Sequence, residues 1–392
     1  MFISKLKFTF VLSIIKEFLL KTKTSKKVLI DASKIITEAL VQSGADVFIA
    51  YPITPSNKFY TYGQMRFPQF LAGPDEISVL QWMAGYSAAG KLPVSATAFP
   101  GLALMTETLN MAYMMELPMV LIITQRLGPS TGSATTGAQG DLKFLDGVIS
   151  GGFPMPIFSP SDFNDAWTLS NEAVKTAVKF RTPVIILTSK EMVMTQKSFD
   201  VNTLEPLEKV DRTPKAFDPP YLPYKSGKDM VPTFYPLGND EHEVRFNSST
   251  HDNEGLIRKG NPESMANTMR LREKLEKRID EYTFFDLDAE AGATDLIVSW
   301  GISADAARDT VTNMRKKGKK VSLLLVKTIL PISPKIYEII DSYETVIFAE
   351  ENMTGQYKEM LFGKRNSSKI KTATKFGGML APSEIEAIVN KK

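Results

Sequence analysis

From Val28 onward the sequence alternates uninterrupted apolar runs with stretches whose apolar positions recur at helical spacing. Residues 32–43 carry one apolar face and predict a helix, and 45–51 (ADVFIAY) predicts a short buried strand. Further runs at 94–98, 119–124 (MVLIIT) and 182–188 (TPVIILT) predict strands. Runs without polar alternation are expected of parallel strands covered on both faces. Helices are predicted around 75–90, over the Met-rich 102–115, and near 163–179. Pro100-Gly101 reads as a break ahead of the second helix. Pro52-Ile53-Thr54-Pro55-Ser56 reads as a strand-to-helix turn in which Ser56 or Thr54 caps the next helix.

The pattern lapses over 198–260, which is rich in proline, tyrosine and polar residues; it reads as an extended connector laid over a neighbouring surface. Residues 262–282 predict a charged helix. A second alternating unit starts at Thr294, with strands at 295–300 (DLIVSW), 321–326 (VSLLLV) and 345–349 (TVIFA). Gly301-Ile302-Ser303 is a turn, 304–316 a helix and 330–334 a loop, and the last strand ends at Glu350-Glu351-Asn352. Strand–helix alternation throughout predicts an α/β fold with parallel sheets and helices on both faces. The expected division is an amino-terminal extension 1–26, a first domain 27–197, a connector with the charged helix 198–290, and a second α/β domain 291–392.

The extension stands apart. Its uncharged run, 8–15, is far short of the ~20 residues that span a bilayer, and no small-residue cleavage site follows it. It reads as an amphipathic or disordered extension or the product of an upstream start codon, with an organelle-targeting segment or membrane-surface anchor as the alternatives, and the chain is expected to be cytoplasmic.

Composition narrows the chemistry. The chain has no cysteine in 392 residues, so it supplies no disulfide, thiol nucleophile or thiolate ligand for zinc or an iron–sulfur cluster. Its two histidines, His242 and His251, fall in the polar connector, which argues against a histidine-based metal site or triad. A net charge of +3, evenly spread, gives no ground for nucleic-acid binding.

Four clusters fall at the expected carboxyl ends of first-domain strands, where open α/β sheets bind ligands. They are 51–56, Asp75-Glu76, 97–101, and Arg126 with the Gly/Ser/Thr-rich loop 126–140. Glu76 opens an otherwise apolar helix; it is either a functional carboxylate or a helix-start acid worth under ~1 kcal/mol. Arg126 follows a fully apolar strand and suits bidentate capture of a carboxylate, with a structural ion pair as the alternative. Thr54, taken alone, reads as a turn residue. There is no G-x-G-x-x-G after a strand, no Walker A sequence, and no Gly-Asp-Gly…Asn arrangement to hold magnesium and a diphosphate. The chain has ligand-type loops without a phosphate anchor of its own.

Three segments, Tyr51-Pro52-Ile53-Thr54-Pro55-Ser56, Asp75-Glu76-Ile77, and Gln125-Arg126-x-Gly128-Pro129-Ser130-Thr131-Gly132 with Gln139-Gly140-Asp141, resemble in order and spacing the α subunits of 2-oxoacid:ferredoxin oxidoreductases, most closely the 2-oxoglutarate type. Glu350-Glu351-Asn352-Met353-Thr354-Gly355-Gln356 resembles the family's E-x-N-x-G-Q segment, and the similarity runs from about residue 28 to 392.

The resemblance implies a thiamine-diphosphate-binding domain of the pyrimidine-side type, followed by a domain of the transketolase carboxyl-terminal type. It implies a thiamine diphosphate shared with a β subunit that carries Mg2+, the diphosphate site and an iron–sulfur cluster. Further γ or δ subunits, ferredoxin, coenzyme A and a 2-oxoacid are the other expected partners. By position, Glu76 corresponds to the glutamate that hydrogen-bonds the aminopyrimidine ring, with Pro52, Ile53, Thr97 and Gly101 around the cofactor. Arg126 and Thr54 correspond to residues that bind the 2-oxoacid carboxylate, and Ser130 and Thr131 are candidates for the distal part of the substrate. Gln81-Trp82-Met83, Thr97-Ala98-Phe99-Pro100-Gly101 and Ser56-Asn57 depart from the family pattern. They leave a branched-chain or aryl 2-oxoacid open beside 2-oxoglutarate. A non-redox thiamine enzyme and a non-catalytic scaffold subunit are the remaining alternatives.

Overall fold

Helix starts in this chain are fixed by short polar side chains. Asp31, Asp75, Asp162 and Asn261 each accept the backbone N–H three residues on, at Lys34, Ser78, Asp165 and Ser264. Each such bond satisfies a donor that the first helical turn leaves open. They open the helices Ala32–Gln42, Glu76–Ala88, Phe163–Phe180 and Pro262–Glu276. These elements come from a computed structural model that describes residues 26–365 and 367–391; most of the expected extension, residues 1–25, lies outside them.

Several expectations are corrected. Pro100-Gly101 does not precede its helix but lies inside it, since the helix is Phe99–Met114 with Pro100 in the first turn. There the missing proline N–H costs nothing. Ser56 sits at the cap position of the helix Asn57–Arg66 without a capping bond. Its hydroxyl instead crosses the sheet, as described below. The charged helix stops at Glu276, and Ile279–Tyr282 is a short 3-10 turn.

The strands are β1 Lys27–Ile30, β2 Val47–Ala50, β3 Gln69–Ala72, β4 Pro93–Thr97, β5 Met119–Gln125, β6 Ile157–Phe158, β7 Pro183–Ser189, β8 Lys197–Asp200, β9 Phe285–Asp288, β10 Asp295–Trp300, β11 Val321–Val326, β12 Thr328–Leu330, β13 Thr345–Glu350 and β14 Ile370–Thr374. The first sheet has the order β12-β6-β7-β5-β4-β2-β3, parallel except where β12 meets β6. The second has the order β14-β13-β10-β11-β9, parallel except at β9. β5 and β7 are buried at every residue and pair from Met119↔Pro183 to Gln125↔Ser189. Each large aliphatic side chain buried there contributes about 1.5–3 kcal/mol.

Apolar pattern did not reveal the short strands β3, β6, β9 and β12. β9 starts before residue 291, and β12, from the second half of the chain, completes the first sheet. The two α/β units are therefore stitched together by a strand as well as by side chains.

The connector carries no helix or strand over 204–261. The surface it covers is the chain's own first domain. Val210 N–H bonds the Ser43 carbonyl at 2.9 Å and Leu237 N–H bonds Ala88 at 2.8 Å. Arg212 pairs with Asp46 at 2.6 Å. A buried ionic cluster fixes it further: Glu116 binds Arg270 at 2.5 Å and Lys274 at 2.7 Å, and Arg181 Nη1 donates to the carbonyls of Pro223, Pro232 and Thr233. Among the described residues no helix is long and apolar enough to cross a membrane.

Candidate active site at the carboxyl edge of the first sheet

Parallel strands deliver their following loops to one edge. Here the ends of β2, β3, β4 and β5 bring 51–56, Glu76, Thr97–Gly101 and Arg126 to the same side of the sheet. Ser56 ties three of these ends together, donating to the Thr97 carbonyl at 2.9 Å and lying 3.0 Å from the Thr124 hydroxyl. Thr124 lies on β5, two residues before Arg126, in a run that reads in sequence as purely apolar, so its role there was not visible.

Glu76, Thr97 and Gly101 converge. Glu76 is the first residue of its helix and is 8% exposed. A Cβ placed on Gly101 would lie 2.1 Å from Thr97 Oγ1 and 2.6 Å from Glu76 Cγ. Only a glycine leaves that space open, and it lies against the Glu76 side chain. The Glu76 carboxylate has no hydrogen-bonding or ionic partner among the described residues, although it is nearly buried. The carboxylate is thus free to accept a hydrogen bond from a bound group. The space that Gly101 leaves lies beside this carboxylate, a place for a ligand group that donates a hydrogen bond to Glu76.

Arg126 and Thr54 form the second cluster. Arg126 is 5% exposed, and its Nη1 donates to the Thr54 carbonyl at 2.5 Å. The Thr54 hydroxyl accepts from Asn57 Nδ2 at 3.0 Å. Burial lowers the Arg126 pKa, opposed by the nearby Asp141 carboxylate. The guanidinium thus remains a cation with a fixed orientation, suited to an anionic substrate group.

Pro52 is exposed and Ile53 half-buried on the same turn as Thr54. Ser130 and Thr131 are exposed at the tip of the loop, which folds back through the Leu127–Ser133 bridge. Gly132 makes that return possible, because its φ is +49° and a Cβ would meet the Leu127 carbonyl at 1.7 Å. No hydrogen bond or ion pair links Pro52, Ile53, Ser130 or Thr131 to Arg126 or Glu76 among the described residues.

The far end of the loop is where sequence reasoning saw a motif but assigned no role. Gln139 is fully buried. Its Nε2 donates to the Trp300 carbonyl at 2.7 Å, and its Oε1 accepts from Ser303 Oγ at 2.5 Å and Glu351 N–H at 2.7 Å. Gln356 Nε2 donates to the Gly140 carbonyl at 2.8 Å. The carboxyl edge of the second sheet therefore clamps the loop of the first. Glu350 serves that clamp structurally, accepting Asn352 Nδ2 and the N–H groups of Tyr357 and Lys358. The Glu191 carboxylate accepts Gly137 N–H at 3.0 Å. Burial pushes Glu351 up to about 7, with Glu191 adding to the rise.

A cavity of about 680 Å³ lies elsewhere, lined by Lys91, Pro118, Arg181 and connector residues 210–215. It opens at the amino ends of the strands, away from Glu76 and Arg126.

A model of the family described as pyruvate flavodoxin/ferredoxin oxidoreductase, thiamine diphosphate-binding, matches residues 38–270. The 2-oxoglutarate synthase subunit KorA of Methanocaldococcus jannaschii is 27% identical over 365 residues, covering 89% of this chain and 95% of the relative. The 2-oxoglutarate oxidoreductase subunit KorA of Mycobacterium tuberculosis is 28% identical over 80% of this chain, which spans 49% of that relative. Among solved structures, the fold matches a 2-oxoglutarate:ferredoxin oxidoreductase from Magnetococcus marinus, with 2-oxoglutarate, coenzyme A and succinyl-CoA bound, at a TM-score of 0.84 and 24% identity. That match covers 93% of this chain and 65% of the other. With more than half of its length matched, this chain belongs to the pyruvate flavodoxin/ferredoxin oxidoreductase family, through its thiamine-diphosphate-binding domain.

Proposed function

We propose that this chain is the α subunit of a 2-oxoacid:ferredoxin oxidoreductase that converts a 2-oxoacid, with 2-oxoglutarate favoured, and coenzyme A to acyl-coenzyme A and carbon dioxide. Electrons pass singly to ferredoxin. The relatives' names support the reaction type and the favoured substrate. The observation that carries the reading is the Glu76–Thr97–Gly101 cradle, with an unpaired carboxylate on a largely covered side chain, on the same sheet edge as Arg126.

Thiamine diphosphate, when bound, supplies the nucleophilic carbon and the electron sink that decarboxylation requires. In this reading Glu76 holds a proton at a ring nitrogen of the pyrimidine, and Thr97 and Gly101 form the wall against which that ring lies. Pro52 and Ile53 border the same turn. Arg126, its Nη1 held by the Thr54 carbonyl, binds the substrate carboxylate and so fixes the keto carbon for attack. Ser130 and Thr131, at the loop tip, reach the distal end of the substrate.

This chain offers no thiolate and no diphosphate motif. A β subunit in the same cytoplasmic complex is accordingly assigned the Mg2+, the diphosphate and the iron–sulfur cluster. The test is Glu76→Gln in the co-purified complex. The variant is expected to fold and to lose at least a hundredfold in turnover; unchanged turnover would remove Glu76 from the reaction.

A further inference from the structure

Asp141 and Arg126 stand at the two ends of the clamped loop, both buried, at 7% and 5% exposure. Each acts on the other electrostatically, yet no ion pair joins them. Each also keeps a buried polar atom without a partner, Oδ2 on Asp141 and Nε on Arg126. An unmet buried polar atom costs about 1–3 kcal/mol, so closing the gap would be favourable if the backbone allowed it.

Hydrogen bonds hold both ends where they are. Arg126 is held by the Thr54 carbonyl. The Asp141 N–H lies 3.5 Å from Gln125 Oε1, Gly140 is bound by Gln356, and Gln139 by Trp300, Ser303 and Glu351. The separation between carboxylate and guanidinium is built into the clamp.

Other charges nearby are already engaged. Lys143, on the helix that Asp141 begins, pairs with Glu359 of the packed helix Gln356–Phe362. Lys358 of that helix binds the Gly363 and Arg365 carbonyls. Glu350 is taken up by Asn352, Tyr357 and Lys358. Lys364 acts on Lys143, and Asp146 lies on the Asp141 helix. The charge facing Asp141 is Arg126. A 2-oxoacid carboxylate arriving at Arg126 would bring a second buried anion to one guanidinium, and that favours the neutral form of one of the two acids.

We propose that Asp141 is a positioning residue that tunes the affinity of Arg126 for the substrate carboxylate, taking a proton from solvent on binding wherever it starts ionised. This rests on the assignment of Arg126 as the carboxylate site. Burial pushes the Asp141 carboxyl up to about 7, with Arg126 pulling it back, so the proton is exchanged near neutral pH. Above that pH the ionised Asp141 competes with substrate for the guanidinium. The effect falls on KM and leaves kcat nearly unchanged.

The experiment measures KM and kcat for 2-oxoglutarate in the co-purified complex from about pH 6 to about pH 9, with a viologen acceptor. In the wild type KM is expected to rise by about tenfold per pH unit above about 7. Asp141→Asn, neutral at every pH, should hold KM flat at the wild-type acid-side value. An Asp141→Asn profile with the wild-type slope overturns the proposal. If Asp141→Asn is unstable, Asp141→Ser must flatten the same profile, and a retained slope there overturns it equally. Arg126→Gln separates the two layers. An unchanged KM in that variant defeats the carboxylate-site reading itself, whereas a large rise with the Asp141 slope intact defeats the role of Asp141 alone.

Discussion

Gln139 and Glu351 bind each other twice. The Gln139 N–H donates to the Glu351 carbonyl at 2.8 Å, and the Glu351 N–H donates to the Gln139 side-chain oxygen at 2.7 Å. These residues belong to different α/β units and are 212 positions apart. Their pairing fixes the loop that runs from Arg126 to Asp141, so the second domain sets the geometry of a site whose polar groups lie in the first.

Gln139→Leu should therefore loosen both stability and substrate binding. It strands the Trp300 carbonyl, the Ser303 hydroxyl and the Glu351 N–H in a buried setting, at a cost of about 1–3 kcal/mol each. Denaturant unfolding measures the first effect and a raised KM for the 2-oxoacid the second. A variant with wild-type values of both would show that the clamp does not hold the loop.

Gly101→Ala tests the cradle. The added methyl group collides with Thr97 Oγ1 and Glu76 Cγ, and overpacking of this kind costs about 1–3 kcal/mol. Turnover of the complex and its retention of thiamine diphosphate should fall. Gly85→Ala is the control on the neighbouring helix, since nothing lies within 4 Å of its added Cβ. It should leave activity intact and gain about 0.5–1 kcal/mol. Equal activity of the two variants would contradict the proposed cofactor wall.

The pH dependence of stability carries a signature of Glu351. Its folded-state pKa is raised from 4.5 to about 7, so between those values the folded form holds a proton that the unfolded form has lost. Its stabilising effect is full below about 4.5 and is lost as pH rises through about 7. Glu351→Gln, which keeps an acceptor for the Leu380 N–H, should match the wild type at pH about 4.5 and exceed it by up to about 3 kcal/mol at pH 8. Thermal unfolding at the two pH values decides the matter. A constant difference would exclude the titration.

Glu116→Gln addresses the connector. Its carboxylate lies well below the usual range, because Arg270, Lys274 and Arg181 outweigh the burial that would raise it. Burial lowers Lys274 to about 8 in turn, opposed by Glu116. Removing the shared anion leaves three buried cations facing one another, at a cost of about 3–5 kcal/mol. Limited proteolysis within 204–261 should accelerate along with the loss of stability. Wild-type resistance would show that the cluster does not anchor the connector.

Much of the candidate site's placement was legible in sequence, for a local reason. Glu76 opens a helix behind Asp75, and Arg126 ends an apolar run; strand ends and helix starts are set by residues adjacent in the chain. Parallel strands then place such positions on one edge without further instruction. The strands β5, β7, β10 and β11 were visible because burial on both faces leaves an unbroken apolar run. β3, β6 and β12 were hidden because a strand of two to four residues carries too few positions to show a period.

The sequence by itself determined the α/β class, the absence of cysteine chemistry, and the presence of Glu76 and Arg126 at strand-end loops. Only the tertiary structure decided that Thr97 and Gly101 lie against Glu76, that Ser56 crosses the sheet rather than capping its helix, and that Asp141 is held near Arg126 without touching it. Those relationships depend on hydrogen bonds and close approaches between residues tens to hundreds of positions apart. Apolar periodicity and local capping preferences reach only a few residues along the chain.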